Sequence, residues 1–260
     1  MKKFVVLLIT ILISTLTAIA SDLRFIQVSD SYFSQYDKDS VARLEKLIEE
    51  VNEEKNVEFV VFTGNNIAKP KVEDVEAFLR IANKLKVPYY VILGNKDVNK
   101  LKDLSKTQYL KIVAKNNKVH KKIATPNYTF TKKKWLFVVV DGSKDVIPTS
   151  MGYYKDDVLH WLDEQLQQNS TKKVVILQHF PIVPPVQKEA YYTYKADEYM
   201  NLLEEHTNVK AVVAGHFGVN KEQEVNGILH ISTAPAPCYR IIDILDCDTE
   251  NPIFWSTIKH

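Results

Sequence analysis

Several apolar runs in this chain show no alternation, and this constrains the fold more than any other feature. Val57–Thr63, Val87–Leu93, Lys173–Leu177 and Val209–Ala214 are continuous or nearly continuous in apolar character. A strand with one wet face alternates; a run without alternation is covered on both faces, as in parallel sheets layered between helices. The segments between them supply the helices. Asp39–Lys55 carries Val41, Leu44, Leu47, Ile48 and Val51 at helical spacing, and Lys71–Lys86 follows Pro70, which suits a helix start. Asp97–Asn117, Asp156–Gln168 and Ala196–His206 read as further helices, the first of them more polar. Arg24–Ser29 reads as the first strand, and Asn127–Asp141 as two strands around the turn Lys132-Lys133-Lys134. The tail from Lys221 reads as strands joined at Asn226-Gly227. The class is α/β, and the absence of a repeat or linker predicts one domain over residues 21–260.

The first twenty residues stand apart. Met1-Lys2-Lys3 precedes an apolar run from Phe4 to Thr17, and Ala18-Ile19-Ala20 is a small-x-small cleavage signal. This predicts a secretory signal peptide over residues 1–20 and an exported, periplasmic or extracellular protein. The rival reading is an uncleaved membrane anchor. Removal of Lys2 and Lys3 leaves 32 basic against 32 acidic residues, so no charge excess argues for nucleic acid. No membrane association is expected beyond the signal peptide. Cys238 and Cys247 flank Tyr239–Leu245, which reads as a strand and would hold the two thiols roughly 30 Å apart. A disulfide between them is therefore not expected.

Polar residues gather where strands end, which in layered α/β folds is where function sits. In order, the strand ends read Ser29-Asp30-Ser31-Tyr32, Gly64-Asn65-Asn66, Gly94-Asn95-Lys96-Asp97, Gln178-His179 and Gly215-His216-Phe217-Gly218. The ordered set resembles the calcineurin-like metallophosphoesterases, whose pattern is DxH, GD, GNHD, a lone H and GHxH. The resemblance implies a layered sandwich of two mixed β-sheets flanked by helices. It also implies two divalent metals sharing a bridging aspartate and activating a water for attack on phosphorus.

Carried over residue by residue, half of that site is altered. Asp30, Asn95, His179 and His216 match ligand positions, and Asp97 matches the aspartate of GNHD. Tyr32 and Gly218 stand where the pattern has histidines, Asn65 where it has the bridging aspartate, and Lys96 where it has the catalytic histidine. One metal position would be left with Asp30 as its only ordinary ligand. The other would keep Asn65, Asn95, His179 and His216, with no anion among them, so the expectation is one weakly held divalent ion (manganese, zinc or iron) or none. Lys96 is expected to pair with Asp30 and Asp97 in place of the lost metal, or to bind phosphate as a point charge. The Tyr32 ring is expected to fill the space of the lost histidine opposite Gly218. Two readings follow. One is a catalytically impaired or non-catalytic protein that binds a phosphate ester or a protein partner. The other is a single-metal phosphoesterase acting on phosphomonoesters or phosphodiesters. Tyr191, Tyr192, Tyr194 and Tyr199, beyond the segment Pro181–Pro185, either line a cleft or pack on themselves.

Overall fold

The continuous apolar runs become parallel strands of two stacked sheets. The computed structural model describes residues 22–102, 104–123, 125–245 and 252–260; the expected signal peptide and Cys247 lie outside them. In the first sheet β1 (Leu23–Val28) runs parallel to β2 (Phe59–Thr63), and β2 parallel to β3 (Tyr89–Ile92). Two antiparallel strands, β12 (Tyr239–Leu245) and β13 (Ile253–Lys259), extend it in the order β13-β12-β1-β2-β3. The second sheet has the order β10-β11-β9-β7-β5-β4, with β4 (Tyr128–Lys132), β5 (Trp135–Val139), β7 (Lys173–Leu177), β9 (Val209–Ala214), β10 (Lys221–Val225) and β11 (Ile228–Ser232). Both sheets are mixed. The hairpin joining β10 and β11 turns at Asn226 and Gly227, both at positive φ, as a two-residue turn of matching twist requires.

The inner faces of the two sheets meet over aromatic rings. Phe59 stacks on Phe25 at 5.0 Å and meets Phe137 of the opposing sheet edge-on at 4.9 Å. Outside the first sheet lie α1 (Lys38–Glu53), α2 (Val72–Ala82) and α3 (Lys106–Asn116), packed through Leu44, Leu47, Phe78 and Val113. Outside the second lie α4 (Asp156–Gln168) and α5 (Ala196–Glu204), packed through Leu162, Leu166, Tyr199 and Leu203. The result is four layers, helix–sheet–sheet–helix. A short parallel pair, β6 (Gly152–Tyr153) with β8 (Thr193–Tyr194), joins two loops near one end.

One expectation is corrected. The helix expected over Asp97–Asn117 begins only at Lys106, where Ser105 and Gln108 form a reciprocal cap. The residues before it are held otherwise: the Asp97 carboxylate turns inward to accept from the backbone of Gly94 and Ile67. Within α4, His160 is exposed and pairs with Glu164 one turn on. As expected, residues 132–134 make the turn between β4 and β5, with Lys133 at positive φ. Cys238 is buried as a free thiol ahead of β12.

Candidate active site

The carboxyl ends of β1, β2, β3, β7 and β9 converge where the two sheets meet. Backbone bonds fasten these ends together: Asp30 N–H donates to Gly64 at 3.0 Å and Gly215 N–H to His179 at 3.1 Å. The backbone is contorted here. Asp30, Tyr32, Asn65 and His216 all hold positive φ, a state costing about 1–3 kcal/mol for residues other than glycine. Such strain persists only where surrounding contacts impose it, and it marks this rim as a built site. Gly64 combines positive φ with a close approach, since a Cβ there would lie 2.6 Å from the His179 ring. At Gly94 a Cβ would lie 2.4 Å from Asn65.

The acidic end of the site is closed by the chain itself. Asp30 is buried, and its Oδ1 accepts from the Tyr32 hydroxyl and the Asn65 amide, both at 2.9 Å. Its Oδ2 accepts from the Ser29 hydroxyl at 2.6 Å and from the His216 backbone N–H at 2.9 Å. Four donors saturate the carboxylate. Asn65 is oriented without ambiguity: its Oδ1 accepts the Lys96 N–H at 2.9 Å, so its NH2 group is the part facing Asp30. Burial, and then the Asp30 charge, push the Tyr32 hydroxyl well above the usual phenol range. Tyr32 is thus a protonated donor, not a phenolate ligand.

The imidazole end is built differently. The His179 Nδ1–H donates to the Thr63 carbonyl at 2.7 Å, and the His216 Nε2–H to the Ser150 carbonyl at 2.6 Å. Each ring is left with one lone pair, on His179 Nε2 and His216 Nδ1, and both atoms are buried without a hydrogen-bond partner. Asn95 Oδ1 is buried and unpartnered as well. The two rings stand 4.9 Å apart. Burial lowers the pKa of both; for His216 the neighbouring His179 adds to the effect and the value falls to about 3. Both imidazoles are neutral at ordinary pH, the state that binds metals. Orphaned buried acceptors are rare and call for a partner. Three of them on an amide and two tautomer-fixed imidazoles fit one borderline transition-metal ion.

A second ion has no comparable donor set. Among the described residues no group of three or more His, Cys, Asp or Glu side chains could hold a metal. Asn65 presents its NH2, Asp30 is saturated, and Gly218 has no side chain. The expected ion pairs of Lys96 are not formed: its side chain is exposed and meets neither Asp30 nor Asp97. Asp30 is instead hydrogen-bonded by uncharged donors, the Asn65 amide among them. Asp97 is buried away from Lys96, and burial pushes its carboxyl up to about 7 against the N–H groups it accepts. The Tyr32 ring does not fill the space beside Gly218 either. Only Pro235 comes within 4 Å of a Cβ built there.

Three contributors carried little or no signal in the sequence. Ser150 acts through its backbone carbonyl, which no side-chain pattern reveals. Ser29 completes the Asp30 shell. Tyr191 lies against the His216 ring at 4.8 Å, and the Lys188 ammonium lies over the Tyr191 ring at 3.7 Å from its centroid. The tyrosine group thus divides: Tyr191 covers the site, Tyr199 is core with its hydroxyl on Gln178, and Tyr194 is exposed beside Tyr153.

Comparison with known proteins places the chain in a family. The profile of the calcineurin-like phosphoesterases matches residues 23–220. The chain belongs to that family, one of metal-dependent phosphoesterases. A manganese-dependent ADP-ribose/CDP-alcohol diphosphatase of Arabidopsis thaliana is 23% identical over 242 residues, 76% of this chain and 78% of that protein. A dimetal phosphatase from Danio rerio superposes with a TM-score of 0.70 at 15% identity, over 87% of this chain and 94% of that one. The anchor in the inner membrane complex of Plasmodium superposes at 0.55 and 16% identity, over 81% and 70%. At such identities the structural likenesses speak for the fold.

Proposed function

We propose that this is an exported member of the calcineurin-like phosphoesterase family that has lost two-metal hydrolysis and serves to bind a phosphate ester. One observation carries the reading. The Asp30 carboxylate is taken up by Ser29, Tyr32, Asn65 and the His216 backbone, so the acidic half of the site needs no cation. Two-metal chemistry relies on a shared anionic ligand to hold two dications together, and Asn65 supplies none. The Plasmodium anchor supports the use of this fold outside catalysis.

A second reading rests on the three unpartnered donors. Asn95, His179 and His216 would hold one divalent ion, and the manganese-dependent relative supports manganese as the first to test. Bound there, such an ion would supply Lewis-acid polarisation of a phosphoryl oxygen. The chain's own part is to fix both imidazole tautomers through Thr63 and Ser150 and to cover the site with Tyr191. Lys96, at the position of the family's catalytic histidine, brings a flexible amine in place of an imidazole ring.

The test is turnover of bis-p-nitrophenyl phosphate and p-nitrophenyl phosphate by the mature chain in manganese. The proposal expects rates indistinguishable from those of the His179→Ala variant. Turnover that His179→Ala abolishes would overturn it in favour of the single-metal phosphoesterase.

A further inference from the structure

Two loops beside the imidazole end carry large apolar side chains in the open. Leu101 is 72% exposed, Val146 49%, Ile147 69% and Met151 41%. They belong to one surface: the Lys100 N–H donates to the Asp145 carbonyl at 2.5 Å, which brings the neighbouring Leu101 and Val146 to adjoining positions. A groove of about 400 Å³ runs beside Val146, Ile147 and Tyr153. It shares Thr149 with the cavity that Asn95 and Ser150 line, so this surface borders the mouth of the site. The surface is also basic. Residues 96–106 and 143–155 carry six lysines and three aspartates. Lys106 is taken by the buried Asp141, and Asp97 is turned inward. That leaves Lys96, Lys100, Lys102, Lys144 and Lys155 against Asp103 and Asp145.

We infer that, contrary to the expectation of no membrane contact beyond the N-terminal run, this surface docks on a lipid bilayer bearing anionic headgroups. Leu101, Val146, Ile147 and Met151 enter the interface, and the lysines meet lipid phosphates. Exposed apolar patches with a polar rim mark interaction surfaces. The kind of partner follows from the composition. Interfaces between proteins are depleted in lysine and enriched in arginine. These loops are rich in lysine, and neither contains an arginine. Aliphatic side chains beside lysines suit the bilayer interface, where buried apolar area and attraction to anionic lipid add together. Lys100-Leu101-Lys102 is that pairing in three residues. Long lysine stems reach from beside an inserted aliphatic chain up to the headgroups. The sequence as a whole gives no sign of such a contact, because its charge balance averages over this local excess. Docked in this way, the opening lined by Asn95 and Ser150 faces the headgroup layer.

Nothing in this depends on what Asn95, His179 and His216 hold. The test is co-sedimentation of the mature chain, free of the N-terminal apolar run, with two kinds of extruded vesicle. One is phosphatidylglycerol and phosphatidylcholine in equal parts, the other phosphatidylcholine alone. The expected result is binding to the anionic vesicles that is tighter by roughly tenfold or more. Raising the salt from about 0.1 M to about 1 M shortens the Debye length from about 10 Å to about 3 Å and should release the protein. Lys100→Ala, Lys102→Ala and Lys155→Ala should each weaken binding about fivefold. The double variant Leu101→Asp/Ile147→Asp should weaken it roughly tenfold or more. Ile258→Asp, which alters an exposed apolar side chain on β13, should change nothing. Circular dichroism of each variant checks that it folds. Equal binding to the two kinds of vesicle, binding to neither, or a double variant that sediments as the parent does would overturn the inference and leave the phosphate-binding reading in place. A lipid-free dimer of the parent that the double variant dissociates would also overturn it, because the surface would then serve a second copy of the chain.

Discussion

Asn65→Asp restores the acidic residue of the family pattern with almost no change of shape, and the structure says what that should cost. The Asn65 amide now donates to Asp30 Oδ1 at 2.9 Å. The substitution replaces the donor with a second carboxylate. Two unit charges about 4 Å apart repel by about 4 kcal/mol at an effective dielectric of about 20. The lost hydrogen bond adds about 1 kcal/mol. For a chain of this size a loss of about 5 kcal/mol lowers the melting temperature by roughly 10–20 °C. A dication between the carboxylates would reverse the sign of the interaction, so manganese should raise the variant's melting temperature far more than the parent's. The assay is thermal unfolding followed by circular dichroism, with chelator and with manganese. A variant that melts in chelator within a degree or two of the parent would refute the reasoning, because the Asn65 amide would not then be a donor that Asp30 needs.

Other outcomes follow from the same contacts. Tyr32→Phe removes one of the four donors to Asp30 and should lower stability by about 1–2 kcal/mol, measured by urea unfolding. Phe59→Ala, where the two sheets meet over a fully buried ring, should cost about 3–5 kcal/mol in the same experiment. Burial lowers the pKa of His120, which accepts the Val91 N–H, to about 4. In the unfolded chain this imidazole titrates near its ordinary value of about 6.5, so the unfolded state binds the extra proton between those limits. Stability should be full above about pH 6.5 and fall as the pH drops towards 4, and His120→Asn should flatten that slope in denaturant titrations.

How much of this was legible in the sequence depends on what kind of interaction set each feature. Runs such as Lys173–Leu177 and Val209–Ala214 gave strand limits that the structure reproduces, because burial on both faces keeps each run apolar but for a single partly buried lysine near its start. The segment after Asp97 was misread as helix because its polarity pattern does not show that the Asp97 side chain serves the neighbouring backbone. At the site, the strand-end residues were readable from type and order alone. Their partners were not. Lys96 looked like the natural counter-charge to Asp30, but its side chain points to solvent while its N–H fixes Asn65. That distinction lies in backbone geometry. Ser150 was invisible for the same reason, and Tyr191 could not be told from Tyr194 or Tyr199 until the loop was placed over His216.

The central claim is that a centre with two metal positions has become one neutral three-donor position beside a self-satisfied carboxylate. Metal stoichiometry tests it most directly, by calorimetric titration of the stripped mature chain with manganese and with zinc. The account predicts no more than one equivalent, lost in His179→Ala and retained in Asp30→Asn if that variant folds. Two equivalents, with the second lost in Asp30→Asn, would contradict it.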